Sequence, residues 1–134
     1  MKIYISGSYS EQIRLRARAA TLTKQGYAIT STWLQEVQKP SHLSQDEWEY
    51  SLALKDLVDL AQADCIICDL DGVSTTGGRY VEWGFAIGRF NMLKLIVTSG
   101  KPTVFSRLAD RRFKDWDGVY TYLREEHPSG ANQE

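Results

Sequence analysis

The sequence predicts a single α/β domain, built on a five-stranded, mostly parallel sheet in the order 2-1-3-4-5 with helices on both faces. Three observations lead there. Short β-branched runs alternate with helix-length, partly apolar stretches along the chain. The run Cys65-Ile66-Ile67-Cys68 is continuously apolar between polar neighbours, as suits a central strand covered on both sides. Loops of small residues follow the first and third strands, where the strand order reverses and a ligand crevice opens. At 134 residues the chain fits one domain, taken as 1–126, with a polar, flexible tail at 127–134.

Lys2 to Ser6 reads as the first strand, ending in the turn residues Ser6-Gly7-Ser8. A helix follows from about Ser10 to Gln25, with Ile13, Leu15, Ala17, Ala20 and Leu22 partly periodic and Gly26 as its stop. Tyr27 to Thr32 is a second strand. The stretch from Trp33 to Ser44 has no clear period and holds Pro40, so a mobile loop or lid is expected. Ser44 and Glu47 form a capping-box pattern that opens an amphipathic helix to about Ala63, carrying Trp48, Leu52, Leu54, Leu57, Val58 and Leu60. Cys65 to Cys68 is the third strand, and a helix from about Arg79 to Phe90 follows. Leu93 to Thr98 and Pro102 to Phe105 supply strands four and five, and Trp116 to Glu126 the last helix. The arrangement is flavodoxin-like, or Rossmann-like, with right-handed crossovers.

A net charge of -1, with 43% hydrophobic and 25% charged residues, describes an ordinary globular chain and gives no basic excess for long nucleic-acid tracts. No apolar run resembles a signal peptide or a membrane span, and a cytoplasmic location without membrane contact is expected. Cys65 and Cys68 have CxxC spacing, but within a strand that offset puts them on opposite faces, as buried structural thiols. His42 and His127 lie in polar segments and read as solvated. No set of ligands with metal-binding spacing is evident, so neither metal nor cofactor is expected.

The chemistry centres on 68–88, CDLDGVSTTGGRYVEWGFAIG. Glu82 falls in the first turn of its helix, where free backbone N–H groups and the helix dipole favour an ionised carboxylate. The same helix start, preceded by Ser74, Thr75, Thr76, Gly77 and Gly78, suits an anion such as phosphate, with Arg79 a better placed partner than Arg89. Position alone leaves two readings, a nucleophile or a merely favourable first-turn residue. Asp69 and Asp71 alternate to one side of the third strand's end, where a paired carboxylate suits a sugar better than a metal. Trp33 could stack on a base or pack in the core. A non-catalytic nucleotide-binding module would use the same loop.

These residues resemble the nucleoside 2-deoxyribosyltransferase family and the related nucleoside 5'-monophosphate N-glycosidases. The likeness runs over most of the chain: Ile3-Tyr4-Ile5-Ser6-Gly7-Ser8, then Lys55-Asp56-Leu57 with Ala63-Asp64, and most specifically Gly77-Gly78-Arg79-Tyr80-Val81-Glu82-Trp83-Gly84-Phe85-Ala86. Gly100-Lys101-Pro102 is similar to a family Gly-Lys-Pro-Val, although it follows the fourth strand here instead of preceding it. The resemblance implies that Glu82 attacks C1' of a 2-deoxyribose and forms a covalent glycosyl-enzyme, which a second base or water resolves. It implies Tyr4 positioning Glu82, Asp56 or Asp71 supplying a proton or hydrogen bond to the departing base, and Ser6, Ser8 and Thr76 holding the sugar or phosphate end. Gly7 belongs to the same loop. Six residues before the nucleophile the transferases carry Asp and the monophosphate hydrolases Ser; Thr76 stands there, which leans towards a phosphate-bearing substrate and leaves transfer or hydrolysis open. A nucleoside or nucleotide partner and a homodimer or higher oligomer are implied too.

Overall fold

The computed structural model of the chain describes residues 1–72 and 77–130. Its strands are β1 (Lys2–Ser6), β2 (Ala28–Ile29), β3 (Cys65–Asp69), β4 (Leu93–Val97) and β5 (Arg111–Phe113), all parallel, in the order β2-β1-β3-β4-β5. Four helices accompany them: α1 (Gln12–Lys24), α2 (Gln45–Ala61), α3 (Gly78–Ile87) and α4 (Trp116–Glu126). Every residue of β3 is buried, as its unbroken apolar run requires.

The register sorts the side chains. Tyr4 pairs with Ile66 and Ser6 with Cys68, so these four share one face of the sheet. Ile3, Ile5, Ile67 and Asp69 share the other. Glu82 of α3 meets Tyr4 and Ser6 on the first face, while Arg14 of α1 and Trp116 of α4 meet Asp69 on the second. Helices α1 and α4 therefore cover one side, and α3, in contact with α2, the other.

Local signals account for the helices. Ser44 and Glu47 complete the capping box at the start of α2, each side chain bonded to the other's backbone N–H. Asp115 caps α4 by accepting from the Gly118 N–H at 3.0 Å. Helix α1 buries Leu15, Ala19 and Leu22, while Ile13 stands 80% exposed, so its core stripe is the i, i+4, i+7 set instead of the one expected.

Three expectations are corrected. Residues 102–105 are not a strand: the Ser106 hydroxyl accepts from the Thr103 N–H and donates to its carbonyl, closing a turn into a 3-10 helix, Phe105–Leu108. The fifth strand comes later, at Arg111–Phe113, a short edge with Arg111 and Arg112 exposed, which discourages pairing with another sheet. Strand β2 shrinks to Ala28–Ile29, because the Ser31 side chain takes over the Ile5 N–H and the chain turns into a 3-10 helix at Thr32–Gln35.

That 3-10 helix is also not a free lid. Gln12 donates to the carbonyls of Trp33 and Glu36, Arg16 donates to that of Leu34, and Lys55 pairs with Glu36 at 2.6 Å. The tail is docked through its first residues: Tyr27 donates to the His127 carbonyl, and buried Ser129 donates to that of Gln25 at 2.6 Å. Residues 131–134 lie outside the described part. Among the described residues no helix is long and apolar enough to cross a membrane.

Candidate active site

Strand β1 supplies the floor of the site. Tyr4 and Ser6, two positions apart and fully buried, present hydroxyls to the same side, where both reach Glu82. Tyr4 donates to Oε2 and Ser6 to Oε1, the latter at 2.7 Å. Burial raises the Glu82 carboxyl above its ordinary range, and the hydrogen bonds from Tyr4 and Ser6 pull it back. The Tyr4 phenol is pushed far up by burial and by the neighbouring Glu82 charge, so it stays a proton donor.

Helix α2 adds Asp56. Its carboxyl is pushed up to about 7 by partial burial, then by the charges of Glu82, Glu36 and Asp59. Its buried Oδ1 has no hydrogen-bond partner among the described residues. An acid that holds its proton near neutrality, with an unpaired oxygen beside an ionisable carboxylate, is equipped to give up a proton to a departing group.

The glycines shape the rim. A Cβ on Gly7 would lie 2.5 Å from Cδ1 of buried Leu15, so a bare backbone lets α1 close on the loop. Gly77, at φ +72°, caps the start of α3 in a conformation that disfavours side chains. Gly78 is the first residue of α3. Arg79 is buried, donates to the carbonyls of Asp71 and Gly72 at 3.5 and 3.3 Å, and has no carboxylate partner among the described residues. Its buried Nε has no hydrogen-bond partner among the described residues. Ser74 and Thr76 lie outside the described residues.

This chain shares its fold with a solved 2-deoxyribosyltransferase. That enzyme, from the psychrotolerant bacterium Bacillus psychrosaccharolyticus, superposes with a TM-score of 0.71 over 96% of this chain and 97% of its own, at 18% sequence identity. No protein-family model and no curated protein matches the chain.

Several anticipated site residues have other work. Asp69 faces away from Glu82, on the α1/α4 side of the sheet, where Arg14, Trp116 and the Asp71 N–H use both its oxygens. It is a structural hub, not a sugar ligand. Asp71 accepts from the Ser99 N–H and hydroxyl, both at 2.9 Å, and so ties the β3 loop to the loop after β4. Trp33 is buried, with its indole N–H on the Ile5 carbonyl at 2.7 Å, which makes it a core residue instead of a base platform. Ser6 points at Glu82 instead of an open sugar site. Ser8 is buried with its hydroxyl 2.8 Å from that of Ser10. Arg89 donates to the Ala61 carbonyl at 3.4 Å, on the far end of α3. Arg14, the main partner of Asp69, was not anticipated; its signal was only one arginine in a basic helix.

Proposed function

We propose that this chain cleaves the N-glycosidic bond of a 2'-deoxyribonucleoside or its 5'-monophosphate, passing the sugar to another base or to water. The observation that carries this is Glu82, bracketed by the Tyr4 and Ser6 hydroxyls and set beside the proton-holding Asp56. A shared fold with a 2-deoxyribosyltransferase supports it.

In the first step a Glu82 oxygen bonds to C1' while the bond from C1' to the base nitrogen breaks, and the base takes the Asp56 proton as it leaves. The transition state has oxocarbenium character, which the adjacent carboxylate stabilises. In the second step an acceptor base or water bonds to C1', the ester to Glu82 breaks, and the Asp56 carboxylate takes up the acceptor's proton. Both groups end as they began. Glu82→Gln is expected to cut release of free base, followed by chromatography, by at least about a thousandfold. Undiminished release would sink the mechanism.

A second reading, hydrolysis restricted to 5'-monophosphates, is favoured by Arg79. A buried guanidinium with no carboxylate partner among the described residues, beside the start of α3, suits a phosphate dianion. Cleavage of monophosphates with no incorporation of an added acceptor base would select it over transfer. A nucleotide binder without turnover would show calorimetric binding and no product.

The proposed assembly is a homodimer or larger homo-oligomer. Tyr50, Leu54 and Val58, spaced one turn apart on α2, are 71%, 52% and 49% exposed, an apolar stripe that water covers poorly.

A further inference from the structure

We propose that Ser6 is a positioning residue for Glu82, forming with Tyr4 a two-hydroxyl cradle on β1 that holds the carboxylate in one orientation. The inference rests on the glycosyl-transfer role of Glu82 and adds a residue that the sugar need not touch.

A glutamate carboxylate rotates broadly about its last side-chain bond, because that torsion joins tetrahedral and planar carbons. One donor at one oxygen leaves much of that freedom. Donors at both oxygens remove it. Tyr4 and Ser6 sit at i and i+2 of a strand, and that spacing places two hydroxyls on the two oxygens of one carboxylate. Both residues are fully buried in the central part of the sheet, so the cradle is rigid. A fixed carboxylate presents its lone pair to C1' without first being ordered, which is where proximity effects gain rate.

The surroundings explain why a hydroxyl is needed at residue 6. Behind it stands Cys68, its register partner on β3, whose buried thiol is pushed up to about 12 and remains neutral. A neutral thiol offers Glu82 little in exchange for lost water. Among the described residues, the groups facing Glu82 include Tyr4 and Ser6 from β1, Cys68 from β3 and Asp56 from α2, and of these only the two hydroxyls donate to the carboxylate. Ser6 thus offsets part of the burial that would keep Glu82 protonated.

The test is Ser6→Ala, with Ser6→Thr as the hydroxyl-retaining control. Two quantities are read: steady-state kinetics on deoxynucleosides and their monophosphates, and titration of the carbon-13-labelled Glu82 carboxyl by NMR in an Asp56→Asn background. Ser6→Ala is expected to lower kcat roughly ten- to a hundredfold with KM nearly unchanged, and to move the Glu82 titration up by about one pH unit. Ser6→Thr should restore both towards the parent. A Glu82 titration unchanged by Ser6→Ala would overturn the proposal whatever happens to kcat, since a packing defect alone would leave that titration in place. If the parent protein turns over no substrate, the glycosyl-transfer reading fails, and the titration still decides whether Ser6 cradles Glu82.

Discussion

Arg14 grips the Asp69 carboxylate with both terminal nitrogens, at 3.0 and 3.1 Å, and so pins α1 to the end of β3. Asp69 is fully buried, whereas the Arg14 side chain is 34% exposed. Removing the arginine leaves a buried carboxylate whose remaining donors among the described residues are the Trp116 indole and the Asp71 N–H. Arg14→Ala is expected to destabilise the fold by about 3 kcal/mol, the low end for a broken buried pair because water reaches the guanidinium side. Urea denaturation measures it. Arg14→Lys should recover only part of the loss, since an ammonium cannot contact both oxygens in the plane of the carboxylate.

How far the sequence could be read follows from where each determinant lies. Helix α2 begins at its capping box and α4 runs over the expected residues, because caps and periodicity are local. Strand β3 was legible because burial on both sides leaves no polar alternation. The fifth strand was not, because Val104 and Phe105 carry strand-like side chains while the Ser106 hydroxyl closes the backbone into a turn. At the site, Glu82 stood out through the glycines before it, but α3 starts at Gly78 and carries Glu82 past the first turn where it was expected. Asp69 misled: β3 ends at Asp69, and which helices cover which face of the sheet is a tertiary fact that turns Asp69 away from Glu82. The orientation of Ser6 was implicit in its two-residue spacing from Tyr4.

Asp56 makes stability depend on pH. Its folded value is about 7 against an ordinary 3.8, so between these the folded state holds a proton that the unfolded chain has released. Stability contributed by Asp56 is therefore greatest below about pH 4 and is lost as pH rises through 7. Asp56→Asn keeps the shape, removes the charge, and is expected to raise stability at pH 8 by about 1–2 kcal/mol after solvent screening, with little gain at pH 4. Thermal melts across that range would show a gap opening with pH. The same substitution should abolish the alkaline limb of kcat/KM near pH 7, a limb that belongs to the coupled Asp56 and Glu82 pair.

The stripe on α2 gives a prediction about assembly. A glutamate at 54 or 58 would put a charge in an interface centred on Tyr50, Leu54 and Val58. It would cost the monomer little, because both positions are about half exposed. Light scattering should find the parent at twice the chain mass or more, and Leu54→Glu or Val58→Glu shifted towards the single chain. A parent that is monomeric at all concentrations would refute the assembly.

Arg79 separates nucleotide from nucleoside as substrate. Its guanidinium is buried, meets the carbonyls of Asp71 and Gly72 and lies 5.4 Å from the Tyr80 ring centroid, and among the described residues no carboxylate pairs with this positive charge at the start of α3. An arriving phosphate would supply the missing anion, a stronger gain than a neutral 5'-hydroxyl provides. Arg79→Gln preserves a donor for those carbonyls and removes the charge. KM for a 5'-monophosphate is then expected to rise about tenfold or more, while KM for the parent nucleoside changes by less than about twofold. Equal losses on both substrates would mean that Arg79 only supports the Asp71-Gly72 turn. A selective loss would mean that a phosphate is the anion this buried charge is built to meet.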